Sequence, residues 1–194
     1  MSPRVHFAMA LLLSSLGVCA SLSCGGAADT GCNGHLELCE RPYDQVAYAT
    51  THNAHASTAD GFSPPNHTEG LTQQLEDGIR GFMLDTYYDD RFGGAPTLCH
   101  GACVFGRRPL VDGLRELNDF LDAHPGEVIT IIFESYINAE DTLGSFEESG
   151  LLARTYAHTR GEPWPTLGEL VAADTRVVVF TDSDGDTYDW YMDG

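Results

Sequence analysis

Two histidines and two carboxylates sit at or near the ends of short apolar or β-branched runs: His52 in VAYATTHN, Asp85 in GFMLDTYYD, His100 in APTLCHG and Glu134 in EVITIIFESY. A side chain just past a strand reaches the rim of a sheet, where neighbouring strands aim groups at one point. An imidazole titrates near neutral pH, so two of them can share the roles of general base and general acid. Together with two carboxylates they suit proton transfer around a phosphate, with or without a metal. One histidine alone reads better as a residue bonding a neighbour; the four groups in one pattern reverse that balance.

The elements that must position them follow from periodicity and turn residues. Asp44 to Thr51, rich in Val, Tyr and Thr, predicts a first strand, and Gly61, Pro64, Pro65 and Asn66 mark a loop over 56–69. Leu71 to Asp77 predicts a short helix stopped at Gly78. In the second strand, Gly81 to Thr86, a period of two puts Phe82 and Leu84 on one face and Met83 and Asp85 on the other. Thr97 to His100 predicts a third strand. Pro109 opens a helix whose Leu110, Leu114, Leu117 and Leu121 recur at helical spacing, ending near His124-Pro125-Gly126. Val128 to Phe133 reads as a fourth strand buried on both faces. Helices follow over Asp141 to His158 and Thr166 to Ala172, then a fifth strand, Arg176 to Thr181, running into Asp182. Strands alternating with helices predict parallel βα units. A closed eight-stranded barrel needs about 250 residues, so the expectation is a TIM-type (β/α)8 barrel with about five units present, or else an open α/β sheet.

The chain has 194 residues, a net charge of −19, and ten basic residues that are all arginine. Without lysine there is no P-loop lysine and no Schiff base. So acidic a surface predicts no nucleic-acid partner, because backbone-phosphate binding needs clustered cations. A phosphate substrate would then require a local cation or arginine against the global field. Residues 1–20, with Arg4, the apolar run Phe7 to Leu16 and Val18-Cys19-Ala20, read as a signal peptide, and 21–31 as a flexible tether. Export to the periplasm, cell surface or medium follows, with a lipid anchor at Cys24 as a variant of it. The folded part is then 32–194. Cys32 with Cys39, and Cys99 with Cys103, suit local disulfides of an oxidising compartment, with zinc as the rival reading. Arg107-Arg108 reads either as a phosphate-holding pair or as surface charge. Asp182-Ser-Asp184-Gly-Asp186 misplaces its glycine for an EF-hand and reads as a solvated turn. His55 reads as a loop residue beside the site, and His35, His67, His124 and His158 lack supporting neighbours.

Thr51-His52-Asn53-Ala54, Gly78-Ile-Arg-Gly-Phe-Met-Leu-Asp85, Leu98-Cys-His100-Gly and Ile132-Phe-Glu134, in that order, resemble the X region of phosphatidylinositol-specific phospholipase C. The Cys-Asn-Gly…Leu-Cys opening is similar to that of secreted bacterial and fungal phospholipase C-like phosphodiesterases. The resemblance spans about Cys32 to Asp182. It implies a barrel that cleaves phosphodiesters, with His52 as general base and His100 protonating the leaving oxygen or steadying the transition state. It also implies a phospholipid or glycerophosphodiester substrate and peripheral contact with a membrane. Calcium-dependent members resemble this chain at Asn53, Asp85 and Glu134, oxygen ligands that suit Ca²⁺. Met83 stands where their pattern has a glutamate, and a thioether is a poor ligand for a hard cation. An Asp85 that only orients a histidine or pairs with Arg80 is the other reading. Two further alternatives are a glycerophosphodiester phosphodiesterase-like enzyme and an inactive surface or binding module on the same scaffold. Oligomeric state is not legible.

Overall fold

Gly81 meets Thr50 so closely that a Cβ there would lie 2.2 Å from Thr50 Oγ1, and this contact starts the sheet. The structure, a computed structural model, describes residues 31–194; the expected signal peptide, the tether as far as residue 30 and the Cys24 anchor lie outside the described residues. Strand β1 (Thr50–Thr51) runs parallel to the start of β2 (Gly81–Asp89), Thr50 opposite Gly81. On the other side of β2 lie β5 (Ile129–Ser135), β6 (Val177–Thr181) and β7 (Tyr191–Asp193), each parallel to its neighbour. The outer half of β2 pairs instead with β3 (Ala95–Leu98), which is antiparallel and pairs in turn with β4 (Arg108–Pro109). The sheet order is β4-β3-β2-β5-β6-β7, with β1 beside β2.

Alternation along the strands sorts the two faces. Phe82, Leu84, Ile129, Ile131, Phe133, Val177, Val179 and Tyr191 join one core with Leu71 and Leu75 of α1 (Leu71–Glu76), Leu110, Leu114, Leu117 and Leu121 of α2 (Leu110–Ala123), and Phe146 of α3 (Ala139–Ser149). On the opposite face, Val128, Val178 and Met192 pack with Cys32, Tyr43 and Leu167 and Leu170 of α4 (Leu167–Ala173). Tyr43 seals this half through a buried 2.7 Å hydrogen bond between its hydroxyl and Thr130 Oγ1. Toward the strand C-termini the same face is only partly covered. There, Met83, Ile132, Phe180 and Met192 lie side by side in register. One step further along lie Asp85 and Glu134, paired in register, and after them Tyr87 and Tyr136, whose rings stack at 4.5 Å.

Several expectations are corrected. The first strand shrinks to Thr50–Thr51 because Tyr43–Gln45 forms a 3-10 turn that delivers Tyr43 to Thr130. The third strand is the return arm of a hairpin, not a βα unit: Gly93, a left-handed cap at φ 69°, reverses the chain. The strand expected over Arg176–Thr181 forms as β6, and a further parallel strand, Tyr191–Asp193, follows where the sequence reading assigns no element. The long third helix stops at Ser149, where Gly150 turns left-handed, and a 3-10 turn over Leu151–Arg154 follows. The other helices agree to within a residue, and Thr166 caps α4 with a reciprocal Glu169 capping box. Both local disulfides, Cys32–Cys39 and Cys99–Cys103, form, which removes the zinc reading. No helix among the described residues is long and apolar enough to cross a membrane.

Candidate active site

Asn53 is the junction of the site. It sits in the turn after β1 with a left-handed φ of 51°, a conformation asparagine tolerates better than most residues. The amide orientation that satisfies its neighbours donates to Asp85 Oδ1 at 2.9 Å and Oδ2 at 3.3 Å, and accepts from His100 Nε2 at 3.0 Å. His100, Asn53 and Asp85 therefore form one hydrogen-bonded chain. Cys99 anchors the far end, its N–H donating to the Asp85 carbonyl at 3.3 Å. His52 precedes Asn53 directly and, like His100, is exposed at the rim. Asp85, by contrast, is only 4% exposed.

Burial is the chief reason the Asp85 carboxyl rises to about 7; the nearby Glu134 and Asp182 add to the rise. Nothing positive offsets them. Arg80, the partner in the alternative reading, pairs with Glu127 at 2.6 Å and bonds the Leu75 and Ile79 carbonyls instead, at the opposite end of β2. Arg108 is bound to Asp60 and Glu116, while Arg91 and Arg107 face Asp89. The phosphate-holding reading of the Arg107-Arg108 pair thus loses Arg108 to structural ion pairs; Arg107 stays on the rim, one-third exposed, over the Phe92 ring.

Asp182, which the sequence reading assigns to a solvated turn, lies beside the site; it follows the fifth predicted strand as the others follow theirs. Its Oδ1 accepts from the Ser135 N–H at 2.8 Å, which holds it beside the end of β5. Tyr136 and Tyr87 are site residues that the sequence reading misses. Tyr136 donates its hydroxyl to Glu134 Oε1 at 2.7 Å, and its pKa is raised, first by that bond and then by Tyr87. Tyr87 could have been found: it lies two residues past Asp85 and so faces the same way. His55 proves to be fully buried, edge-on to Phe62, with no hydrogen-bond partner for either ring nitrogen among the described residues. Burial lowers its pKa to about 4, so it is neutral at working pH; the Cys99 backbone opposes that shift without meeting hydrogen-bond geometry.

For a divalent cation, the donor chemistry fits: Asp85 and Glu134 are adjacent hard oxygens without a counter-charge, and Asn53 supplies an amide. Ligation through Asn53 would use the oxygen that here accepts from His100. Met83 belongs to the apolar row below and adds nothing. Among the described residues, no three His, Cys, Asp or Glu side chains are gathered as a ready-made metal cage.

Comparison with known proteins places the chain in a family. The PI-PLC X family profile (PI-PLC X 1) matches residues 38–192. A PI-PLC X domain-containing protein of Arabidopsis thaliana is 32% identical over 175 residues, covering 78% of this chain and 40% of the relative. PI-PLC X domain-containing protein 1 of Arthroderma benhamiae is 32% identical over 203 positions, covering 96% of this chain and 62% of its own length. An uncharacterized secreted protein of the same fungus is 27% identical over 158 residues, covering 78% of this chain and 35% of that protein. The chain thus spans less than two thirds of the length of these relatives. Among solved structures, a double mutant of the phosphatidylinositol-specific phospholipase C of S. aureus superposes with a TM-score of 0.54 at 16% identity, over 78% of this chain and 52% of that one. PLC21 of S. officinalis gives the same score and identity over 77% of this chain and 19% of its own. With the profile covering nearly all of the folded part, this chain belongs to the PI-PLC X domain family.

Proposed function

We propose that the chain is the X-domain portion of an exported phosphoric diester hydrolase that cleaves a phosphatidylinositol-type phospholipid headgroup by two-histidine acid–base catalysis. The carrying observation is the His100–Asn53–Asp85 hydrogen-bonded chain, with His52 as the next residue and Glu134 in register beside Asp85. His52 accepts the proton of the attacking hydroxyl; His100, whose Nε2–H is already a donor, protonates the leaving oxygen. Asp85, Glu134 and Asn53 would hold a divalent cation, which would supply the positive charge that the arginines, committed elsewhere, leave wanting; calcium suits the donor set. The five parallel strands, neighbours in chain order, are read as part of a (β/α)8 barrel.

A membrane as the substrate's location is supported by where apolar surface is exposed. Of the six large hydrophobic side chains exposed among the described residues, Tyr88, Phe92, Val104, Phe105 and Tyr136 lie at or beyond the outer half of β2, in the loop after His100, or just past β5; only Leu36 lies elsewhere. Phe92, Val104 and Phe105 line one open groove with Arg107. Export is supported by the leader pattern, both disulfides and a relative named as secreted.

The test is turnover of phosphatidylinositol vesicles with analysis of products. His52→Ala and His100→Ala should each lose about 10²- to 10⁴-fold, and an inositol cyclic phosphate should appear first. Hydrolysis of a soluble glycerophosphodiester to glycerol 3-phosphate and the free alcohol, with no inositol cyclic phosphate from the vesicles, points to the second enzymatic reading. Met83, the lost acidic position, favours an inert binding module instead, and no turnover on any phosphodiester would establish that.

A further inference from the structure

The turn carrying His52 and Asn53 is held by side chains outside it. Gln74 on α1 is buried, 5% exposed, and every group of its amide is used. Its Oε1 accepts from Thr51 Oγ1 at 2.8 Å, and its Nε2 donates to the carbonyls of Ala54 and Glu69, each at 2.8 Å. Thr51 and Ala54 are the residues on either side of His52-Asn53, so one side chain fixes both ends of the turn. His67, from the loop over 56–69, donates Nε2–H to the carbonyl of His52 itself at 2.7 Å. That loop is fastened in turn, since Asn66 and His67 both donate to the Ala56 carbonyl and the Ala59 N–H reaches Thr68. The Ala54 N–H completes the set, bonding Met83 on β2 at 2.9 Å.

We infer that Gln74, with His67, is a positioning residue of the acid–base site: it sets the His52-Asn53 turn, and through Asn53 it sets where the two imidazoles stand. This rests on the reading of His52 and His100 as the catalytic pair. The turn needs such a hold because Asn53 is left-handed and both histidines are exposed, so neither is located by packing. Buried and away from competing water, the Gln74 bonds are stiff. A glutamate there presents acceptors to two carbonyls, and a methionine of similar volume leaves them unbonded.

The experiment compares Gln74→Glu, Gln74→Met, His67→Gln and His67→Ala in the full chain, using phosphatidylinositol vesicles and residue-level amide hydrogen exchange. Both Gln74 variants should lower kcat about 10- to 100-fold, the penalty of misplacing reacting groups by about 1 Å, with KM nearly unchanged. Exchange at Ala54 should accelerate while Ile129–Ser135 stays protected. His67→Gln, which keeps a donor, should retain more activity than His67→Ala. A cooperatively melting Gln74→Met with wild-type kcat, or exchange that rises equally in all elements, overturns the inference. If neither Gln74 variant folds, Thr51→Val removes one clamp bond from the outside and must show the same kcat loss in smaller measure. A wild-type chain without phosphodiesterase activity refutes the catalytic reading alone. The clamp then stands or falls on whether Ala54 exchanges faster in Gln74→Met.

Discussion

Replacing Asp85 with asparagine should abolish turnover and yet make the cation-free protein more stable at alkaline pH. The carboxyl is pushed from its ordinary value up to about 7, chiefly by burial and then by Glu134 and Asp182. In the unfolded chain it titrates near 3.9. Between those two values the folded state holds a proton that the unfolded state has released, so folding weakens as pH rises, by about 1.4 kcal/mol per pH unit. The weakening is complete once pH passes the folded value, and the contribution is intact below the unfolded one. The substituted amide does not titrate, and the other ionisable groups cancel between the two proteins. Relative to wild type, the Asp85→Asn variant should therefore gain about 3 kcal/mol between pH 5 and pH 8. The Asn53 amide keeps an acceptor in the variant, one carbonyl oxygen, so the loss that does not depend on pH is small; the part that depends on ionisation is already contained in the folded-state value. Urea melts of both proteins at pH 5, 6, 7 and 8 with chelator present give the difference directly. A gap that stays constant across that range would show that Asp85 is ionised throughout and that the account of the acidic cluster is wrong.

Calcium should act on the same charge: millimolar Ca²⁺ is expected to raise Tm at pH 8 and to do so less at pH 5, where Asp85 keeps its proton. An equal shift at both pH values would place the ion elsewhere. Cys103→Ser opens the small disulfide loop that contains His100, and loop entropy puts the loss at about 2 kcal/mol. Turnover should fall as well, and a stability loss with full kcat would mean the loop does not hold the histidine. Val104→Ser with Phe105→Ser should weaken sedimentation with zwitterionic vesicles about tenfold or more, since partial burial of two such side chains exceeds about 1.4 kcal/mol. Turnover of a soluble phosphodiester by the same variant should be unchanged, and unaltered vesicle binding would remove the groove from the membrane contact.

What the sequence made legible was whatever local pattern determines. Phe82 and Leu84 facing the helices with Met83 and Asp85 turned away follows from a period of two, and it held. The leucines of α2 and the Thr166 cap are similarly local. What failed depended on partners distant in the chain. Thr97 to Leu98 has strand composition whichever way it runs, and only the reversal at Gly93-Gly94 makes it antiparallel. Tyr191–Asp193 is three residues long and is a strand because Val179 to Thr181 lies beside it. Gln74 and His67 carry no signal at all in a single sequence. Both stand out only once α1 and the loop over 56–69 fold back over the turn, a matter of tertiary contact.

The apolar side chain at position 83 is accounted for by the row it stands in. Met83 completes an apolar row with Ile132, Phe180 and Met192, beneath the Asp85–Glu134 pair. A third carboxylate in that row would sit among apolar side chains with no arginine near, a costly burial. Asp182 is instead exposed past the end of β6, where water screens it and the Ser135 N–H satisfies one oxygen. The carboxylates Asp85, Glu134 and Asp182 thus stand toward the strand C-termini, past the apolar row. On the proposed reading, a cation at that rim would contact solvent and substrate more readily than one held beneath, and would bind more weakly for it.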